Sequence, residues 1–473
     1  MTATSHKIML GSGTLLLLLA TVLAAWLMQP FWLLLPVGAL GLFLLLQHPA
    51  ALFYVLLFSI PWSVEYNFPS GLGTDLPDEP LMLLTSLATV AMLLFYRKQL
   101  TIQKLHALVF VLLVQIAWLV MTVVLSTHFI LSAKYLLAKS WYLLAFFVAP
   151  LLLWQEEKIL KRSLVILFGS MLLVVVVTMV RHATMGFTFS SINDALAPFF
   201  RNHVNYSALL VFMLPLQVLF LKQAKSKWLR SMLLLLFLVT LPALYFSFAR
   251  GAWLALITGA GAYWLLKKRW LLKSFVLVIF LLIAVVFWLR HNNRYIEFAH
   301  DYQTTIFHEN FGEHITATYQ LKDMSTAERF YRWIAGVRMV EDSWQTGFGP
   351  STFYRHYKGY TVPAFKTWVS RNEEQSTVHN YFLLLLIEQG AVGLILFLLL
   401  LGMLFWYAQK IYHRTADVVW KGGVATIAAI LVMQCTLNFL SDLIETDKVG
   451  SVFFLCIAAL IIADKATRIR KYE

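Results

Sequence analysis

Residues 376–401 read STVHNYFLLLLIEQGAVGLILFLLLL. Polar residues stop at His379 and Asn380, and an apolar run then continues to Tyr407. A bilayer-crossing helix needs about 20 predominantly apolar residues, so this stretch opens a membrane span with a histidine at its mouth. The pattern recurs along the chain, with apolar runs at 8–28, 31–46, 51–61, 80–96, 106–125, 134–154, 163–180, 204–221, 231–247, 251–266, 273–289, 381–407, 422–440 and 449–463. The second and third are short enough to form one broken helix. The reading is an all-α polytopic membrane protein of 12–14 transmembrane helices. Composition agrees: 13% of the 473 residues are charged, against about 25% in soluble domains.

The formal net charge is +14. In a soluble protein this would raise nucleic acid as a partner. Here its distribution follows the positive-inside rule. With the N-terminus in the cytoplasm, Lys7, the loops at 97–104, 156–162, 222–230, 267–273 and 409–421, and the tail from Asp464 carry 22 of the 38 Lys and Arg residues. That threading excludes nucleic acid, leaves both termini cytoplasmic and places 290–378 outside the cytoplasm. It divides the chain into N-terminal helices (1–289), one large extracytoplasmic loop (290–378) and C-terminal helices (379–473). Within the loop, STAERFYRWIAGVRMVEDS (325–343) has helical spacing and a Ser-x-x-Glu start at Ser325, a capping-box pattern. TGFGPSTF (346–353) reads as a glycine-rich turn. Cys435 and Cys456 lie inside apolar runs and read as core residues.

Charge beside a bilayer is costly and marks candidate sites. Arg201, His203 and Asn205 precede one span, and Arg250 fills a turn between two spans. Lys134 and Lys139 lie near the outer end of another, and Arg181 and His182 at a further one. Each has an interfacial-anchor reading beside a functional one. Lys134 reads as an anchor; Lys139 lies deeper and is a candidate for an anion site. Arginine suits phosphate, because its planar fork grips two oxygens at once. A histidine near neutral pKa serves as general base. His379 faces the same compartment as these cations, with Asn380 as its helper or a helix cap; Glu388 and Gln389 read as helix packing. No P-loop, GxSxG or metal-ligand spacing is present, and Asp75, Asp78 and Glu79 read as a polar turn.

RNHVNYSALL (201–210), SFARGAWLAL (247–256), GFGPSTF (347–353) and HNYFLLLLIEQGAVGL (379–394) together resemble the O-antigen ligase and O-antigen polymerase superfamily, over about 195–400. The resemblance implies a C-type glycosyltransferase-like fold in the bacterial inner membrane. It implies metal-independent, inverting transfer of a glycan from undecaprenyl diphosphate to an acceptor hydroxyl, with no cofactor, in cell-surface polysaccharide assembly. The acceptor is lipid A–core for a ligase and another lipid-linked glycan for a polymerase. The family histidine falls on His379 and the diphosphate-binding arginines on Arg201 and Arg250; Arg181 and Lys139 are added as further cations, and Asn205 and Asn380 as supporting residues. The family turn is often S-x-S-R-G, whereas Ala249 stands at the second serine here. A polyprenyl-linked glycan transporter is the reading from another class.

Overall fold

A computed structural model describes residues 47–67, 73–96, 105–298, 324–367, 370–372 and 375–469. The first two expected spans lie outside these residues. The remaining twelve all fall on helices: α1 (Pro49–Ser59), α2 (Asp78–Tyr96), α3 (Ala107–Val124), α4 (Phe129–Leu143, running on to Leu153), α5 (Glu157–Thr184), α7 (His203–Gln223), α8 (Lys227–Tyr245), α9 (Arg250–Lys267), α10 (Leu271–Arg290), α13 (Tyr381–Arg414), α14 (Val418–Leu440) and α15 (Asp447–Ile469). Among the described residues, ten helices are long and apolar enough to cross a membrane. Helices are what lipid permits, because each spanning backbone must satisfy its own polar groups. A hairpin of β1 (Val64–Asn67) and β2 (Gly73–Leu76) sits between α1 and α2. Three short or amphipathic helices complete the set: α6 (Ile192–Leu196), α11 (Met324–Asp342) and α12 (Phe353–His356).

Packing follows side-chain size. Ala252, Ala255, Gly259, Ala262 and Leu266 form a buried stripe on α9, spaced by three and four residues so that they share one face. Small residues let helix backbones approach closely in lipid, and α14 lies against this stripe. A Cβ added at Gly259 would meet Met433 Cε at 2.2 Å, and Thr258 and Thr436 hydroxyls lie 2.8 Å apart. At one end of the bundle, Asp464 binds Arg414 at 2.9 Å and Arg468 at 2.6 Å. The opposite end carries His379 and is called the site end below.

The span opened by HNYFLLLL is one long helix with a break. Gly390 adopts φ 70°, ψ −175°, a region open essentially to glycine alone. The break strands the carbonyls of Ile387, Glu388 and Gln389. They accept from Phe348 N (3.0 Å), Gly349 N (3.0 Å) and Trp118 Nε1 (2.9 Å). Ala391 N, freed by the same break, donates to Trp344 O at 2.7 Å. The glycine-rich turn TGFGPSTF is therefore the plug that completes a broken helix. Glu388, expected to serve helix packing, instead accepts from Ser351 N (2.8 Å) and Phe353 N (3.0 Å) and closes the same turn.

A second expectation is also corrected. Helix α11 already includes Ser325, so Ser325 and Glu328 do not form a capping box. Glu328 is buried and serves as the acceptor for Arg332 (3.2 Å), Ser370 (2.5 Å) and Thr367. It ties α11 to the chain that leads to His379. Cys435 and Cys456 are free thiols within the helices.

A Cβ at Gly347 would lie 2.4 Å from the Glu388 carbonyl carbon, and one at Gly390 2.1 Å from Gln345 O. Gly347→Ala and Gly390→Ala should each lower the melting temperature of the purified protein by several degrees, since φ > 0 strain alone costs roughly 1–3 kcal/mol. Gly261→Ala, in a helix with nothing within 4 Å of the added carbon, should be neutral or slightly stabilising. Differential scanning fluorimetry in detergent checks all three.

Candidate active site

His379 sits one residue before the cap of α13, with φ 53°. A left-handed backbone is uncommon for a side-chain-bearing residue, though histidine tolerates it better than most. Its amide donates to Thr377 Oγ1 at 3.3 Å, and Arg332 holds the Thr377 carbonyl at 3.3 Å. Asn380 is the helix cap: its side chain accepts from Leu383 N at 3.0 Å. That settles the choice between helper and cap in favour of the cap, which aims the first turn of α13 and hence the histidine just before it.

The partner of His379 comes from the connection between α14 and α15. Asp442 Oδ1 lies 3.8 Å from His379 Nδ1, too long for a hydrogen bond but close enough to orient the ring by charge. Thr377 Oγ1 donates to the other Asp442 oxygen at 2.7 Å. The imidazole is recessed yet reachable, with 32% of the side chain exposed. Burial, aided by the positive charges of Arg332 and Arg329, pushes its pKa well below the usual 6.5. Asp442 does not reverse this, because burial raises its own carboxyl above the ordinary value. The shift favours the neutral ring, whose Nδ1 faces the acid.

The 441–446 connection gathers more of the expected residues. Glu445 accepts from Tyr135 at 3.0 Å and from Lys139 at 3.3 Å. Thr446 donates to Asn205 at 3.4 Å, and Ser441 O accepts from Tyr381 N at 3.1 Å. Lys139, Asn205 and His379 therefore meet around one short segment. Its acids, Asp442 and Glu445, went unread in the sequence. The available signal was SDLIETD (441–447), three acids packed between two apolar spans on the histidine's side. Arg332 and Arg329 were also missed, hidden in a helix read only for its periodicity.

Arg250 occupies the first turn of α9, and Phe248 before it takes φ 54°. Ala249 is the cap residue and supplies no side-chain bond; this is the position where the family pattern often has serine. Phe248 meets Phe189 (5.5 Å) and His182 (6.3 Å), and Phe189 meets His203 (6.1 Å). This ring cluster fixes the Arg250 turn against the segment that leads to Arg201. Arg201 itself is exposed and precedes Asn202, the cap of α7. Arg181 was grouped with the anion-binding cations, but its guanidinium is committed to the carbonyls of Asp194 (3.0 Å) and Ala197. It holds the α6 turn. Lys139 likewise has a protein partner in Glu445.

Residues 234–398 match the family described as O-antigen ligase. Over that segment the chain is similar to the O-antigen ligase family. The matched segment runs from α8 to the first half of α13 and includes Arg250, the plug turn and His379. No curated protein matches the chain. That family implies a glycosyltransferase-like activity and lipid-linked glycan or polysaccharide substrates in general terms.

Lys139 and Glu445 have only 14% and 21% of their side chains exposed, so removing one leaves a largely desolvated charge. Lys139→Met or Glu445→Gln alone should cost roughly 1–3 kcal/mol, and the double variant should cost less than the sum. A double-mutant cycle on denaturation midpoints measures the coupling; strict additivity would mean the pair contributes nothing.

Proposed function

We propose that the protein transfers a glycan from undecaprenyl diphosphate to an acceptor hydroxyl at the extracytoplasmic face of the bacterial inner membrane. The observation that carries this reading is the neutral His379, held at a helix mouth beside Asp442 and on the same side of the bundle as Arg201 and Arg250. In the proposed step His379 Nε2 takes the proton of the acceptor hydroxyl. The acceptor oxygen attacks the anomeric carbon, and the bond from that carbon to the diphosphate oxygen breaks. The diphosphate departs with the electron pair, and direct displacement inverts the anomeric configuration.

Fixed cations stabilise charge that grows on a leaving group without reorganising at the moment of reaction. Arg201 and Arg250, the arginines that the family resemblance sets at the diphosphate, fit this role. Asp442, 3.8 Å from Nδ1, faces the ring and stabilises the imidazolium once formed. The carrier's tail is apolar, and a cavity of about 160 Å³ among Leu57, Trp154, Phe168, Phe212, Ile430 and Val452 offers apolar room within the helices. The 290–378 loop is the natural reader of the acceptor. Lipid A–core makes the protein a ligase; a second lipid-linked glycan makes it a polymerase.

His379→Ala should cut transfer by ~10²–10⁴, the usual worth of a positioned acid–base group, while the variant inserts and melts like wild type. The assay is transfer of a labelled polyprenyl-linked glycan by protein in detergent, where no second compartment exists; wild-type turnover in His379→Ala would overturn the mechanism. The pH profile is a separate check. Because the folded-state pKa of His379 lies below 6.5, the base stays unprotonated as pH falls past 6.5, so transfer should show no acid limb there. The same shift makes the unfolded chain bind the proton first, so the histidine's contribution to stability declines as pH falls below 6.5.

A further inference from the structure

Asp75 on β2, Asp78 at the start of α2 and Asp447 at the start of α15 each bring a carboxylate oxygen to within 4.8 Å of the others. The sequence grouped Asp75 and Asp78 only as a polar turn; the fold adds an acid from the far end of the chain. Asp78 is 0% exposed. One of its oxygens accepts from Glu79 N at 3.0 Å, and the other has no hydrogen-bond partner among the described residues. Ser63, 1% exposed, lies against Asp78 close enough to favour its ionised carboxyl, but no well-formed hydrogen bond engages the buried hydroxyl among the described residues.

The nearest cation does not resolve the cluster. Lys448 donates to Ser63 O at 2.8 Å and to Phe199 O, and rests 4.6 Å from the Phe200 ring. Among the described residues it forms no ion pair with the three acids. The hairpin makes the charge worse by setting Glu65 directly opposite Asp75. Three convergent carboxylates, an orphaned buried carboxylate oxygen and a buried hydroxyl make an oxygen-only donor set. Such sets suit hard divalent cations and not zinc, which favours nitrogen and sulfur.

We propose that Asp75, Asp78 and Asp447, with the Ser63 hydroxyl, bind a divalent cation of the Ca²⁺ or Mg²⁺ class. The cation ties the start of α15 to the β-hairpin and α2. Asp447 directly follows the 441–446 connection that carries Asp442 and Glu445, and Lys448 beside it holds Phe199 and Phe200 next to Arg201. The site therefore sets the position of residues around His379 without contacting the reacting groups. It lies beyond the proposed transfer reaction and does not depend on it.

The test uses full-length protein purified in detergent, stripped with EDTA and titrated separately with CaCl₂ and MgCl₂. Thermal melting and Tb³⁺ luminescence, with displacement by Ca²⁺, are the readouts. Wild type should melt several degrees higher with at least one cation, with a midpoint in the ~0.1–1 mM range of extracellular calcium sites. Asp447→Asn and Asp78→Asn should lose both the rise and the Tb³⁺ signal. Asp75→Asn, on the more exposed hairpin, serves if a buried variant fails to fold. A wild-type melt indifferent to both cations would overturn the proposal, since protons would then neutralise the cluster. So would an undiminished response in the asparagine variants, which would place the cation elsewhere. His379→Ala should keep the full cation response, so failure here and failure of the transfer mechanism are read independently.

Discussion

Breaking a helix inside an apolar bundle strands backbone groups that lipid will not satisfy, and each one left bare costs several kcal/mol. Helix α13 breaks at Gly390 and leaves three consecutive carbonyls open. Residues 344–349 and the Trp118 indole supply the missing partners. Everything at the site end follows from this repair. The plug fixes the stretch of chain beyond α11, Glu388 closes the turn that follows it, and the first half of α13 is left at an angle that puts His379 at its mouth. The half-helix from Tyr381 to Gln389 then serves as a rigid mount, capped by Asn380 at one end and plugged at the other.

A second organising element is smaller. The connection between α14 and α15 is only a few residues long, yet it touches α4 through Lys139, α7 through Asn205 and the start of α13 through Tyr381 and His379. Short connections between packed helices have little freedom, so the acids they carry can be placed with precision. Asp442 reaches the histidine, and Glu445 accepts the lysine. Thr377, bonded to both Asp442 and the His379 amide, makes the two sides of the contact one unit.

Much of this architecture was legible in the sequence. Apolar runs and basic loops are one-dimensional signals, and the twelve described spans followed them. Arg250 in a turn without length and His379 at a polar–apolar boundary stood out because charge near lipid is costly. The misreadings share a cause. Nothing in the sequence singles out Gly390, because its left-handed backbone is decided by a plug that arrives from an upstream segment. Ser325 and Glu328 matched a capping pattern, but Glu328 is claimed by Thr367 and Ser370, a tertiary partnership that spacing does not encode. Arg181 also donates to two backbone carbonyls, again a partnership that spacing does not encode. Asp442 and Glu445 were missed because their partners are distant along the chain, Thr377 by 65 residues and Tyr135 by 310.

The plug has a consequence for how such a protein can change. Its latch to α13 is made almost wholly of main-chain N–H and C=O groups, with glycine required only where the two backbones nearly touch. A latch of that kind places few demands on side-chain identity. The outward surface of the 324–378 segment can then drift, lengthen or exchange its aromatic residues while the histidine stays where it is. Lineages descending from one such scaffold can therefore come to differ in nearly every exposed residue of the cap yet keep the same hinge, the same mount and the same short acidic connection beneath it.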